Sequence, residues 1–243
     1  MLMMFLLASI ILGAFFACLA GYWVRKKQEG DHNESIGLRR ELFGSAHQPY
    51  LFDRPNRWLA IKTHDIAKVQ EALGLLNAMP CSISEGMGKL GDRKLFVSPP
   101  VDGWILVVGQ GLPDPGDDID RVYHFVRRVS NALGTVQFFS SNRAVNHHAW
   151  IRAENSQIFR AYAWAGETVW NEGEMTAAER ELGLRCFDYG EQPSIFPFSA
   201  RESHFANAEK VPMLAARWSV DPTMIAQLGY NPHTGISGDV SNR

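Results

Sequence analysis

The sequence predicts an α+β domain, mostly antiparallel sheet, behind one N-terminal hydrophobic segment. Three observations carry this expectation. Residues 1–24 hold no charged side chain, and Arg25, Lys26 and Lys27 follow at once. From residue 58 onward, short apolar runs recur between Gly-, Pro- and Asp-containing turns. Between those runs lie stretches with apolar residues at helical spacing. The 243 residues are 46% hydrophobic and 21% charged, which fits a globular chain and excludes a disordered or collagen-like one.

The first segment is long enough to span a bilayer. At the helical rise, 24 residues cover about 36 Å, more than a hydrocarbon core. Tyr22 and Trp23 fall where amphipathic rings favour the headgroup level, and the three basic residues form a stop-transfer flank. The basic flank predicts a single-pass protein of the cell membrane with its body in the cytoplasm. A cleaved signal peptide, with export, is the alternative, although no basic residue precedes the apolar run. Residues 1–27 are thus expected to contact the lipid bilayer.

Residues 25–57 read as a juxtamembrane linker. They carry seven basic and five acidic side chains, a balance of +2. The total is −2, so the rest of the chain holds −4. A dedicated nucleic-acid binder is usually basic, so no nucleic-acid partner is expected. Cys81 and Cys186 lack any Cys-rich context and read as free thiols of a reducing compartment. A single disulfide stays open if the domain is exported.

The soluble domain is expected over 58–230. Residues 58–63 read as a strand, and 64–75 as a helix carrying Ile66, Val69 and Leu73. Gly74 and Pro80 supply stop signals. Residues 93–98 and 104–108 pair as a hairpin through Pro99, Pro100 and Gly103. Ile119, Val122, Val126, Val129 and Leu133 mark a second helix, entered through Asp117 and Asp118 and ended by Gly134. Residues 135–140 form the next strand. The resulting order, βαββαβ, is that of a ferredoxin-like split βαβ unit. A hairpin, 145–153 and 157–165, extends the sheet across Glu154, Asn155 and Ser156. Thr176 and Glu179 make a capping box for a short helix. Further helices are expected at 208–218 and 223–228, the latter behind Asp221 and Pro222. Residues 231–243 read as a flexible tail.

No catalytic signature stands out. The Gly109–Gly111–Gly116 loop has the wrong spacing for a dinucleotide fingerprint, and Asp114, Asp117 and Asp118 would repel phosphate. His147 and His148 point to opposite faces of a strand, so the pair offers no metal site. No metal and no cofactor are expected. Alternation places Asn146, His148, Trp150 and Arg152 on one face of the first hairpin strand. Ile158, Arg160, Tyr162 and Trp164 share one face of the second. Such a mixed aromatic and basic face suits recognition of a partner or anionic ligand, unless a C-terminal helix covers it. Two functions remain. One is a membrane-anchored binding or interaction domain without catalysis, with another protein as partner. The other is a membrane-tethered hydrolase built on His148 or His147 with Glu167 or Asp188.

Overall fold

Among the described residues nine strands, every neighbouring pair antiparallel, form one sheet in the order β2-β9-β3-β4-β1-β5-β6-β7-β8. The computed structural model describes residues 56–88, 91, 93–191, 199–222 and 235–240. The expected anchor with Tyr22 and Trp23, the flank with Arg25, Lys26 and Lys27, and the helix at 223–228 lie outside the described residues. Among those described, no helix is long and apolar enough to cross a membrane.

The strands are β1 (Asn56–Ile61), β2 (Leu75–Cys81), β3 (Lys94–Val97), β4 (Ile105–Val108), β5 (Thr135–Asn142), β6 (His147–Glu154), β7 (Gln157–Trp164), β8 (Thr168–Glu172) and β9 (Gly235–Val240). The helices are α1 (Ile66–Leu73), α2 (Ile83–Gly88), α3 (Ile119–Leu133), α4 (Ala177–Glu181) and α5 (Ser199–Trp218). The fold is therefore a mixed α and β architecture dominated by one large antiparallel sheet. The first described strand begins at Asn56, two residues inside the expected linker.

Local chemistry sets the ends of the two long-recognised helices. The Asp65 carboxylate accepts from the Lys68 N–H at 3.0 Å, and Gly74 closes α1 in the left-handed region at φ 63°. The Asp118 carboxylate caps α3 by accepting from the Arg121 N–H at 2.9 Å. Each cap satisfies an N–H that the helix itself leaves open. Both helices lie on one face of the sheet. There Val69, Leu73, Val122 and Val126 join Leu59, Ile61, Ile105 and Val107 in one apolar cluster. The opposite face holds Trp58, Phe139, Trp150 and Tyr162 with Val211, Leu214 and Ala215 of α5. Period-two alternation along the strands produces this division.

Three strands depart from expectation. β2 follows directly on Gly74 and takes up residue 75, which the expected helix over 64–75 included. Its alternation is broken by Asn77 at φ 52° and a register shift between Leu76 and Met79. β8 occupies a stretch between the expected hairpin and the capping box to which no element was assigned. The greatest correction is β9. The expected flexible tail contains a strand that pairs with β2 on one side and β3 on the other. Its glycines serve close approach rather than looseness. A Cβ on Gly235 would sit 2.3 Å from the Val97 carbonyl oxygen, and one on Gly238 3.0 Å from that of Leu76.

Among the described residues the outermost strands are β2 and β8. At β8 the Tyr189 hydroxyl accepts from the Asn171 N–H at 2.8 Å and donates to its carbonyl at 3.4 Å. At β2 the irregular backbone is followed by Pro80, which has no N–H to offer.

Candidate functional site

The face expected to meet a partner is interior. His148 pairs across the strands with Trp164, Trp150 with Tyr162, and Arg152 with Arg160, so the six do share one side. Trp150 and Tyr162 are fully buried, Arg160 is 1% exposed and His148 2%. Arg152 alone is exposed, with its guanidinium 5.3 Å from the centre of the Trp218 ring. Asn146 is not on the strand. It occupies the preceding turn at φ 55°. A second correction concerns Ile158. Arg152 is paired with Arg160 but Ala153 with Ile158, which leaves Phe159 as the extra residue of a β-bulge. Ile158 consequently packs on the opposite face, while Arg160 is turned inward.

Arg160 is the centre of a buried polar cluster. Its Nε donates to Glu179 Oε1 at 2.8 Å. Its Nη1 faces the Asn171 Oδ1 at 2.8 Å and the carbonyls of Ala161, Glu172 and Gly173 at 3.0 to 3.1 Å. Its Nη2 lies 3.0 Å from Cys186 Sγ. One guanidinium thereby ties β7 to β8, to α4 and to the segment after it. A buried charge is tolerated only when paired and hydrogen-bonded, and both conditions hold here.

Glu179 does two jobs with its two oxygens. Oε2 accepts from the Thr176 N–H at 2.7 Å and completes the expected capping box. Oε1 accepts from the Trp150 indole at 2.7 Å as well as from Arg160. Its side chain is fully buried. The capping role was legible from Thr176 and Glu179. The ionic role was not, because no spacing rule links residues 160 and 179.

Burial raises the Cys186 thiol to about 12, against the lowering effect of Arg160, while Glu179 adds to the rise. Burial also raises the Tyr162 phenol, whose oxygen accepts from the Phe187 N–H at 3.2 Å. At pH 8 a thiol at about 12 is ionised in about one molecule in ten thousand, and thiolate is the reactive form. Iodoacetamide at pH 8 should therefore leave Cys186 unmodified in the folded chain and label it after denaturation. Peptide mass spectrometry reads the difference. The sign for stability follows: this contribution is whole below pH 9.0 and is lost as pH rises toward about 12.

The hydrolase residues do not assemble into an acid–base pair. Glu167 lies in the β7–β8 turn and Asp188 in the loop after α4, both exposed. His148 is interior, its ring stacked on Trp150 at 5.8 Å and 12°. His147 turns the other way, toward the loop at Gly116, where Asp114 pairs with Arg57 at 2.9 Å. Cys81 and Cys186 form no disulfide. Among the described residues no cluster of three His, Cys, Asp or Glu side chains could hold a metal ion. Comparison with protein families, with curated proteins and with solved structures gives no match.

Proposed function

We propose that this chain is a membrane-anchored binding or interaction domain without catalysis, held at the cytoplasmic side of a cell membrane by residues 1–27. One observation carries the non-catalytic part. The densest polar constellation among the described residues is spent internally: Arg160, Glu179 and Trp150 hydrogen-bond to one another. A catalytic acid or base needs access to substrate and a proton to move at working pH. The buried ion pair lacks that access, and the thiol raised to about 12 keeps its proton at working pH. The anchor rests on the charge-free first segment and its basic flank. The strand order β3-β4-β1-β5, with α1 and α3 on one face, supports a ferredoxin-like core beneath the added strands.

The full-length chain should sediment with membranes and resist alkaline and high-salt extraction. Recovery in the supernatant would remove the anchor and favour cleavage. Assays with nitrophenyl esters and phosphates should show no turnover above background. Turnover abolished by His148→Gln, in a variant with unchanged circular dichroism, would establish the hydrolase instead.

A further inference from the structure

The geometry points to a two-point register lock between β5 and α5, in which Ser141 and Gln137 hold two carbonyls of α5 laid open by Pro212 and Pro222. In an α-helix the carbonyl of one residue accepts from the N–H four residues later. Proline has no N–H, and its ring crowds the carbonyl four residues before it. Pro212 lies inside α5, so the Ala208 carbonyl is denied that donor. α5 ends at Trp218, and Pro222 stands four residues beyond, so the Trp218 carbonyl is denied it as well. An acceptor freed in this way and shielded from water needs a donor from elsewhere. β5 supplies both. The Ser141 hydroxyl donates to the Ala208 carbonyl at 2.6 Å. The Gln137 Nε2 donates to the Trp218 carbonyl at 3.0 Å. Ala208 and Gln137 are each 1% exposed, which keeps water from competing.

The spacing of the two donors matches that of the two acceptors. Gln137 and Ser141 are four residues apart on β5, hence on one face, the face that Phe139 turns toward α5. Four strand residues span about 13 Å. Ala208 and Trp218 are ten residues apart, about 15 Å along the helix. The Gln137 side chain outreaches that of Ser141 and takes up the difference. Sliding α5 by one turn, about 5.4 Å, parts both donors from these carbonyls at once. Val211, Leu214 and Ala215 attract the helix to the aromatic face, but burial of apolar surface has no direction. The two donors supply one. They decide which side chains of α5 come to lie over Trp150 and Tyr162. The lock belongs to the fold and holds whatever the domain binds.

A double-mutant cycle in the full-length chain tests the pairing of serine with proline. Ser141→Ala should lower the folding equilibrium constant about tenfold, because it leaves a buried carbonyl without its donor. In Pro212→Ala the N–H at residue 212 serves the Ala208 carbonyl, and Ser141→Ala should then cost less than about threefold. Equal costs in the two backgrounds would overturn the inference. Methyl NMR tests the register. The Val211 and Leu214 signals should shift or split in a Gln137→Met, Ser141→Ala double variant, while Val69 and Val126 on the other face keep theirs. A merely weakened fold would leave all four in place. Unmoved Val211 and Leu214 signals in the folded double variant would show that α5 finds its position without the two donors, and the lock would fall. Should one of these variants not fold, the other measurement decides.

Discussion

Glu179→Ala should be the most damaging single substitution in the domain, lowering stability by about 3–5 kcal/mol. The change removes the only carboxylate bonded to Arg160 among the described residues and leaves the guanidinium charged in the interior. It also strips the Trp150 indole of its acceptor and the Thr176 N–H of its cap. Thr176→Ala isolates the capping share, since it leaves the ion pair in place and should cost about 1 kcal/mol. Urea unfolding followed by tryptophan fluorescence measures both. Near-equal losses would mean that the ion pair contributes little beyond the cap. An Arg160→Met, Glu179→Leu double variant should be less destabilised than Glu179→Ala, because breaking a buried pair costs more than replacing it with apolar groups.

Ending the chain after residue 234 should be more severe still. It deletes β9, which fills the space between β2 and β3. Among the described residues, β2 would lose its one partner strand and β3 would keep β4 alone. Unpaired strand edges next to Leu95 and Val97, both buried, invite association between chains. The expected outcome is an insoluble chain or one without a cooperative unfolding transition. Ending instead after residue 240 retains β9 and should leave the transition intact. A soluble, cooperatively unfolding chain of 234 residues would show that β9 is dispensable.

These effects mark where the sequence was legible. α1 and α3 have apolar spacing, caps and stop residues all within a few positions, so local information suffices to place them. β1, β4, β5 and β6 are continuous or alternating apolar runs. β2 and β9 carry no such pattern, because their geometry is imposed by neighbours. Asn77 breaks the alternation of one, and close packing demands glycine in the other. Glycine therefore read as looseness where it marks crowding. The candidate site divides in the same way. Parity correctly gathered His148, Trp150, Tyr162 and Trp164 on one face. What covers that face depends on α4 and α5, whose contacts with it are distant in sequence. The bulge at Phe159 also shifts parity, which separated Ile158 from Arg160. The carboxylates named as candidates, Glu167 and Asp188, were plausible by type. The one that matters, Glu179, was already explained by its cap and drew no second interpretation.

Tyr189 has a consequence for how copies of this chain meet. An antiparallel sheet with two open borders is a unit that can be added to itself without limit, like a tile with matching sides. A phenol hydroxyl on the Asn171 N–H and carbonyl occupies one such side with a group that offers no onward strand. A proline and a distorted backbone spoil the other side. Among the described residues, neither border of the sheet then offers a ready template for another strand, and a high local concentration of copies need not end in a fibre.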